Sequence, residues 1–297
     1  MTRRTTEPFG LERHVQGGGH LPTVQLAFST HYIKVSSNSD ALLAQFVPNV
    51  ESMLSLQPRG IEAGSFCITE TAGRFTLHEE GSSAEESLND LGSMSRELHH
   101  QVIKRFIQVR PDLLWIHAGA VSFAGRAIVL AGPSGEGKST IVEALLDWGC
   151  SYLSDEIAPI DPVNGTVLPF PVSPWKRIAI QDYLPAERFH ELTKVRVPIQ
   201  QRSVGQAPAP LAQVYLLRHQ RAPFATRLDG CSPAVAVIEL MKNSFNMDDS
   251  RAMEIERLHK LTSSIDARYL NYVDASEAAS RIIFALSLTP SSTPNSP

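Results

Sequence analysis

Residues 127–149 read AIVLAGPSGEGKSTIVEALLDWG, and this stretch decides the fold class of the chain. The apolar run at 127–131 predicts a strand, and residues 140–149 predict a helix that ends at Gly149. Between them, GPSGEGKS at 132–139 fits the pattern G-x-x-x-x-G-K-[ST] at every fixed position. A strand, a glycine-rich loop and a helix in this order predict a phosphate-binding loop in an α/β domain.

Each residue type of the loop has a role in holding phosphate groups. Glycines permit backbone conformations that turn successive N–H groups toward an anion, and the dipole of the following helix adds partial positive charge. Lys138 has the length to reach the β- and γ-phosphates, and the Ser139 hydroxyl can bind Mg²⁺. We therefore expect a nucleoside triphosphate to bind here. The predicted binding residues are Gly132, Pro133, Ser134, Gly135, Glu136, Gly137, Lys138, Ser139 and Thr140.

Composition and charge exclude several classes of protein. The chain has 297 residues, of which 42% are apolar and 20% are charged, and a formal net charge of −4. Such a chain lacks the basic field needed to grip nucleic acid, and it contains no run near the ~20 apolar residues of a membrane span. Two arginines near the start precede no apolar run, so no secretory signal is expected. The three cysteines (Cys67, Cys150 and Cys231) lack a disulfide or metal spacing and are typical of reduced cytoplasmic thiols.

The pattern along the chain predicts two domains and a tail. Residues 1–93 alternate short apolar runs with turns and predict a smaller α+β or β-rich domain. Residues 94–287 alternate strands with helices and predict an α/β domain, with helices at 94–109, 232–245, 250–263 and 275–287. The polar run 81–90 is interpreted as a linker or an exposed loop. Its acidic cluster with residues 79 and 80 fits a solvated loop better than a metal site. Residues 288–297, rich in Pro, Ser and Thr, predict a disordered tail.

Two features near the loop suggest phosphoryl-transfer chemistry. Asp155 and Glu156 follow a short predicted strand, only 17 residues after Lys138 (155 − 138). A carboxylate so close to the loop suits an enzyme that deprotonates an acceptor hydroxyl and holds Mg²⁺ beside it. His117 lies within the predicted strand WIHAGAV at 115–121. A histidine in an apolar strand is usually a core residue, but this strand leads through a tight turn into the loop strand.

The loop, His117 and the Asp155-Glu156 pair together resemble the C-terminal catalytic domain of the HPr kinase/phosphorylase family over residues 113–171. The resemblance implies the P-loop kinase fold that this family shares with phosphoenolpyruvate carboxykinase, and it implies ATP and Mg²⁺. It also implies catalytic roles for Lys138, for Asp155 as general base and for His117 as its assistant. Ser139, Asp155 and Glu156 would hold the metal, with the division between the two acids left open. A homo-oligomer is implied too, because relatives often form hexamers.

Several positions depart from that family. Thr140 stands where a glutamate often follows the loop serine, and Glu156 replaces a second aspartate. The glycine- and asparagine-rich signature of the phosphorylase reaction has no good counterpart, and the first hundred residues look different. The chain is more similar to HPr-kinase-related proteins, some of which phosphorylate a serine of a precursor peptide, as lasso-peptide tailoring kinases do. We therefore expect a cytoplasmic ATP-dependent kinase for a hydroxyl, with a serine of a peptide or small protein as acceptor.

Two other functions remain open from the residues themselves. A small-molecule alcohol kinase also carries an acidic residue soon after the loop, and a non-catalytic module could use bound nucleotide to control a partner. Further cations are candidates for phosphate contacts. Lys176 and Arg177 end a proline-rich loop that is either functional or a rigid, solvated connection. Arg202 lies in a stretch that is either a mobile lid or an ordinary surface loop.

Overall fold

The computed structural model describes residues 21–55, 57–178, 193–196, 204–220, 225–245 and 251–288, without the side chains of 175–178, 193–196 and 251. Arg202, the side chains of Lys176 and Arg177, and the predicted tail beyond Leu288 lie outside the described residues. The chain divides into two compact units, residues 1–110 and 111–297. In the described part, no helix combines the length and apolar character needed to cross a bilayer.

The first unit contains a five-stranded sheet and two α-helices. Its elements are β1 Thr23–Phe28, β2 His31–Ser37, α1 Asp40–Phe46, two 3-10 turns at Val47–Asn49 and Glu51–Met53, β3 Ile61–Thr71, β4 Arg74–Glu79, β5 Glu85–Leu88 and α2 Leu91–Val109. The strands pair in chain order, and only β2 and β3 are parallel. Helix α2 starts at the Asp90 cap and buries Leu98, Val102 and Phe106.

Two features of this unit differ from the predictions. Residues 85–88 of the presumed linker form β5, an edge strand whose first three residues are exposed, which explains its polar sequence. The sequence predicts that helix α2 belongs to the second domain, with a boundary at 93/94. It packs against α1, β3, β4 and β5, so its apolar face is covered by the first unit and the boundary falls after Arg110. In the acidic cluster, Glu79 pairs with Arg105.

The second unit mixes strands and helices, and the predicted α/β class is confirmed. Its elements are β6 Leu114–Ile116, β7 Ala118–Phe123, β8 Arg126–Ala131, α3 Lys138–Asp147, β9 Ser151–Ser154, β10 Ala158–Asp161, β11 Thr166–Val167, β12 Trp175–Ile178, β13 Thr193–Arg196, β14 Ala209–His219, β15 Arg227–Gly230, α4 Pro233–Met241, α5 Arg251–Ser264, β16 Asp266–Tyr272 and α6 Ala275–Leu288. The main sheet has the order β6-β10-β11-β14-β8-β7-β9, and β16 pairs with both β14 and β15. Strands β12 and β13 pair separately.

The centre of this sheet is buried on both faces. Alternate residues of β8 point to opposite sides of the sheet. Ile128 and Leu130 pack with α3 and α6, whereas Ala127, Val129 and Ala131 pack with α4 and α5. Strands buried on both faces have the continuous apolar sequences seen at 127–131 and 214–217. The glycine-rich loop therefore starts from the middle layer of a three-layer core.

Strand directions bring the predicted functional residues to one edge of the sheet. Strand β14 is parallel to β8 and β16, while β7 is antiparallel to both β8 and β9. The carboxyl ends of β9, β8, β14 and β16 therefore lie at the edge where β7 begins. The residues that follow β8, β9, β14 and β16 therefore lie near the residue that precedes β7, which is His117.

Two predicted elements near this edge are corrected by the structure. The predicted strand 115–121 is interrupted at His117, because β6 pairs with β10 while β7 pairs with β8 and β9. The predicted helix 232–245 ends at Met241. Residues after it bond instead to the β6–β7 junction: the Asn243 carbonyl accepts from the His117 N–H at 2.6 Å, and the Phe245 N–H donates to the Trp115 carbonyl at 2.9 Å.

Candidate phosphate-binding and catalytic site

The glycine-rich loop connects β8 to α3 as predicted. Gly135 and Gly137 adopt positive φ angles of 97° and 78°, a backbone region that disfavours residues with a side chain. The Lys138 ammonium donates to the carbonyl oxygens of Gly132 at 2.6 Å and Pro133 at 3.2 Å, so its side chain folds back across the loop. Lys138 is 8% exposed, and burial lowers the pKa of its ammonium group. The loop thus holds a buried cation at its centre.

Two neighbouring strands support the tip of the loop. The Tyr272 hydroxyl, at the end of β16, donates to the Glu136 carbonyl oxygen. The His219 backbone N–H, at the end of β14, donates to the Glu136 carboxylate. A Cβ on Gly137 would overlap the Tyr272 hydroxyl. Backbone conformation and close packing both require glycine at this position.

Asp155 lies beside the loop, directly after β9. It is 5% exposed, and its carboxylate accepts a hydrogen bond from the Ser139 hydroxyl. Burial raises the pKa of Asp155 to about 7, although Ser139 and the ammonium group of Lys138 act in the opposite direction. Its Oδ1 atom is buried and has no hydrogen-bond partner among the described residues. A buried carboxylate oxygen in this position is suited to a ligand or a proton.

His117 contacts the backbone beside Asp155. Its Nδ1 atom lies 2.9 Å from the Glu156 carbonyl oxygen, which can only accept, so Nδ1 carries the proton in this contact. Its ring is perpendicular to the Phe245 ring, with 6.0 Å between the ring centroids. The Glu156 carboxylate is close enough to Asp155 to raise its pKa further. His117 therefore fixes the strand end that carries both acids.

The residues predicted to hold Mg²⁺ are compatible with that ion. Magnesium prefers oxygen ligands and is usually held by one or two carboxylates together with phosphates and water. The Ser139 hydroxyl and the Asp155 carboxylate are in contact, and the unpartnered Oδ1 of Asp155 offers a further donor atom. The described residues include no group of three or more His, Cys, Asp or Glu side chains arranged around a metal. Ser139 and Asp155 can supply oxygen ligands to such an ion, to which phosphates and water would add the others.

Several residues that shape the site were missed by sequence reasoning. Gly119 lies where an added Cβ would be 2.8 Å from Val142 Cγ2 and 3.5 Å from Asp155 Oδ1. Tyr272 and His219 end apolar strands, and nothing in their local sequence separates them from ordinary strand ends. Asn243 lies beyond the end of α4 and reaches the site through its bond to the His117 N–H. A sequence motif identifies the residues of the phosphate-binding loop. The residues named here belong to no motif, and they reach the site only because of the order of the strands.

Comparisons with known proteins found a weak structural similarity and no related sequence. No family model matches the chain, and no curated protein matches it. Among solved structures, the chain is similar to the Hpr(Ser) kinase/phosphatase from Coxiella burnetii, with a TM-score of 0.31 and 11% sequence identity. That similarity covers 58% of this chain and 98% of the other. A similarity at this level supports no conclusion about function.

Proposed function

We propose that this protein is an ATP- and Mg²⁺-dependent phosphotransferase that transfers the γ-phosphoryl group to an alcohol. The observation that carries the proposal is the position of Asp155. Its buried carboxylate contacts Ser139 of the phosphate-binding loop, and its Oδ1 atom has no partner among the described residues. A group with these contacts can serve as a general base next to the γ-phosphate.

The loop supplies binding and charge. Lys138 now donates to two loop carbonyls, and in the nucleotide complex it would donate to β- and γ-phosphate oxygens. Ser139 would hold Mg²⁺ together with Asp155 or the half-buried Glu156. The ion would supply charge neutralisation of the phosphate oxygens. Phosphoryl transfer has a loose transition state, so positioning and charge account for most of the catalysis.

Asp155 would receive the acceptor's proton. As the acceptor oxygen bonds to the γ-phosphorus, the bond between that phosphorus and the β,γ-bridging oxygen breaks and ADP leaves. The hydroxyl proton passes to the Asp155 carboxylate. In the protein without ligands, burial raises the pKa of Asp155 to about 7, and a general base works best when its pKa is near the working pH. His117 acts as a positioning residue through its bond to the Glu156 carbonyl.

A serine of a peptide or small protein is the acceptor that we propose. The support for this choice is the resemblance of the loop, His117 and the Asp155-Glu156 pair to HPr-kinase-related proteins. The direct test combines γ-labelled ATP, Mg²⁺ and a panel of serine-containing peptides and small proteins. Label is expected in a peptide serine with the unaltered protein.

Three variants make this test specific. Lys138→Ala removes the loop cation, and Asp155→Asn removes the base with little change in shape. We expect Asp155→Asn to lower transfer by about 10²–10⁴-fold while nucleotide binding persists. Asp147→Asn, at the exposed end of α3, is the matched control and should transfer normally. If label reaches only small alcohols, the acceptor is a small molecule and not a peptide serine. Binding without any transfer would favour a nucleotide-controlled module instead.

A further inference from the structure

A cleft of about 320 Å³ opens beside the phosphate-binding loop and has no role in the chemistry described so far. The residues that matter for its chemistry are Gly132, Pro133, Arg218, Glu239, Asn243 and Tyr269. Its volume lies at the lower end of the range of about 300–1,000 Å³ for small-molecule pockets. The cleft shares a wall with the loop, so a ligand on the loop can extend into it.

The order of strands places this cleft and Asp155 on opposite sides of the loop. The loop leaves β8; Asp155 follows β9, two strands away in one direction through β7. Arg218 ends β14, the neighbour of β8 in the other direction, and Tyr269 lies on β16 beyond it. An acceptor that gives its proton to Asp155 therefore approaches from the β9 side. The β14 side is left for the other end of the triphosphate ligand.

We propose that this cleft binds the nucleoside half of ATP, with Arg218 as the residue on which the base stacks. The inference rests on the function proposed above. The guanidinium carbon of Arg218 lies 3.6 Å from the centre of the Tyr269 ring, so tyrosine and guanidinium form a stacked pair. A guanidinium group is flat on both faces, and flat aromatic systems stack on it. One face is used by Tyr269.

The surroundings of Arg218 support a role in ligand binding. Its side chain is exposed at the end of a buried strand, and it forms no ion pair with a carboxylate of the described residues. Across the cleft, Glu239 and Asn243 supply polar groups near the end of α4, where Lys242 pairs with Glu239 at 3.0 Å. A planar wall with polar groups opposite is typical of sites that orient a heteroaromatic ring.

The test compares two ligands that share the triphosphate and differ in the nucleoside. Dissociation constants for ATP and for inorganic tripolyphosphate are measured by calorimetry in the presence of Mg²⁺. Arg218→Ala should weaken ATP binding at least five-fold and change tripolyphosphate binding less than two-fold. Lys138→Ala should weaken both ligands. Arg227→Ala removes an exposed arginine of β15 that does not line this cleft, and it should change neither.

Arg218→Lys separates stacking from charge. Lysine keeps the positive charge but lacks a flat face, so this variant should bind ATP nearly as weakly as Arg218→Ala. Equal losses for ATP and tripolyphosphate in Arg218→Ala would place Arg218 on the phosphates and overturn the nucleoside site. No loss for either ligand would also overturn it, as would an effect confined to the acceptor's KM. If the unaltered protein binds neither ligand, the proposed function itself fails.

Discussion

Asp155 is a buried carboxyl group whose pKa is shifted by its surroundings. Burial raises its pKa from the usual 3.8 to about 7. Between these values the folded protein retains a proton that the unfolded chain releases. The free energy of unfolding therefore falls as the pH rises from about 4 to about 7. This sign is opposite to that of a carboxylate stabilised by an ion pair.

The pH dependence of stability tests this assignment. In the ligand-free protein with metal chelated, we expect the unaltered chain to lose more stability between pH 5 and pH 8 than Asp155→Asn. The difference should be at most about 3 kcal/mol, because about two units of the raised pKa fall in this pH interval and each corresponds to about 1.4 kcal/mol. Thermal unfolding at the two pH values measures it. Parallel pH profiles for the two proteins would contradict a buried carboxyl group with a raised pKa.

Gly137 and Tyr272 form a second residue-level test. Gly137→Ala places a side chain at a φ of 78°, which costs about 1–2 kcal/mol, and adds an overlap with the Tyr272 hydroxyl. Gly135→Ala has only the backbone strain, since nothing lies within 4 Å of an added Cβ. We expect Gly137→Ala to be the more destabilising change in urea unfolding. Tyr272→Phe should recover part of that loss when combined with Gly137→Ala but none when combined with Gly135→Ala.

Strand β7 and helix α3 approach closely because residue 119 has no side chain. An added Cβ would lie 2.8 Å from Val142 Cγ2, so Gly119→Ala should destabilise the protein by about 1–3 kcal/mol. Val142→Ala in the same chain should recover part of that loss, because it removes the opposing methyl groups. Gly230→Ala, in β15 with open space around it, serves as control. Equal unfolding free energies for Gly119→Ala and Gly230→Ala would contradict the close packing.

Elements whose partners are near in sequence were predictable, whereas those defined by distant pairing were not. The strand–loop–helix at 127–149 is specified by one motif, and the short path from Lys138 to Asp155 limits where that carboxylate can lie. The interruption at His117 depends on pairing with β10 and on residues 243–245, which are far along the chain. Edge strand β5 has no apolar alternation to reveal it, because its first three residues are exposed. Tyr272 reaches the loop only because β16 lies beside β14.

At the scale of the whole molecule, every residue of the proposed site belongs to the second unit. A fragment of residues 111–297 is therefore expected to bind ATP with an affinity close to that of the full chain. A fragment of 94–297 should aggregate, because it adds helix α2 without the strands that cover Leu98, Val102 and Phe106. Light scattering and ATP binding of the two fragments check this. If the fragment 94–297 is monodisperse and the fragment 111–297 is unfolded, the domain boundary lies at 93/94.

Asn243 takes part in both halves of the site. It lines the cleft on the β14 side, and its carbonyl oxygen holds the His117 N–H at 2.6 Å, next to the segment that carries Asp155. The wall of the cleft is thus joined to the β6–β7 junction by the hydrogen bond between Asn243 and His117. Thermodynamic linkage is reciprocal. If bound nucleotide changes the affinity for the acceptor by some factor, bound acceptor must change the affinity for the nucleotide by the same factor. We expect bound ATP to change the affinity for the acceptor, which is measured as the acceptor's dissociation constant with and without ATP.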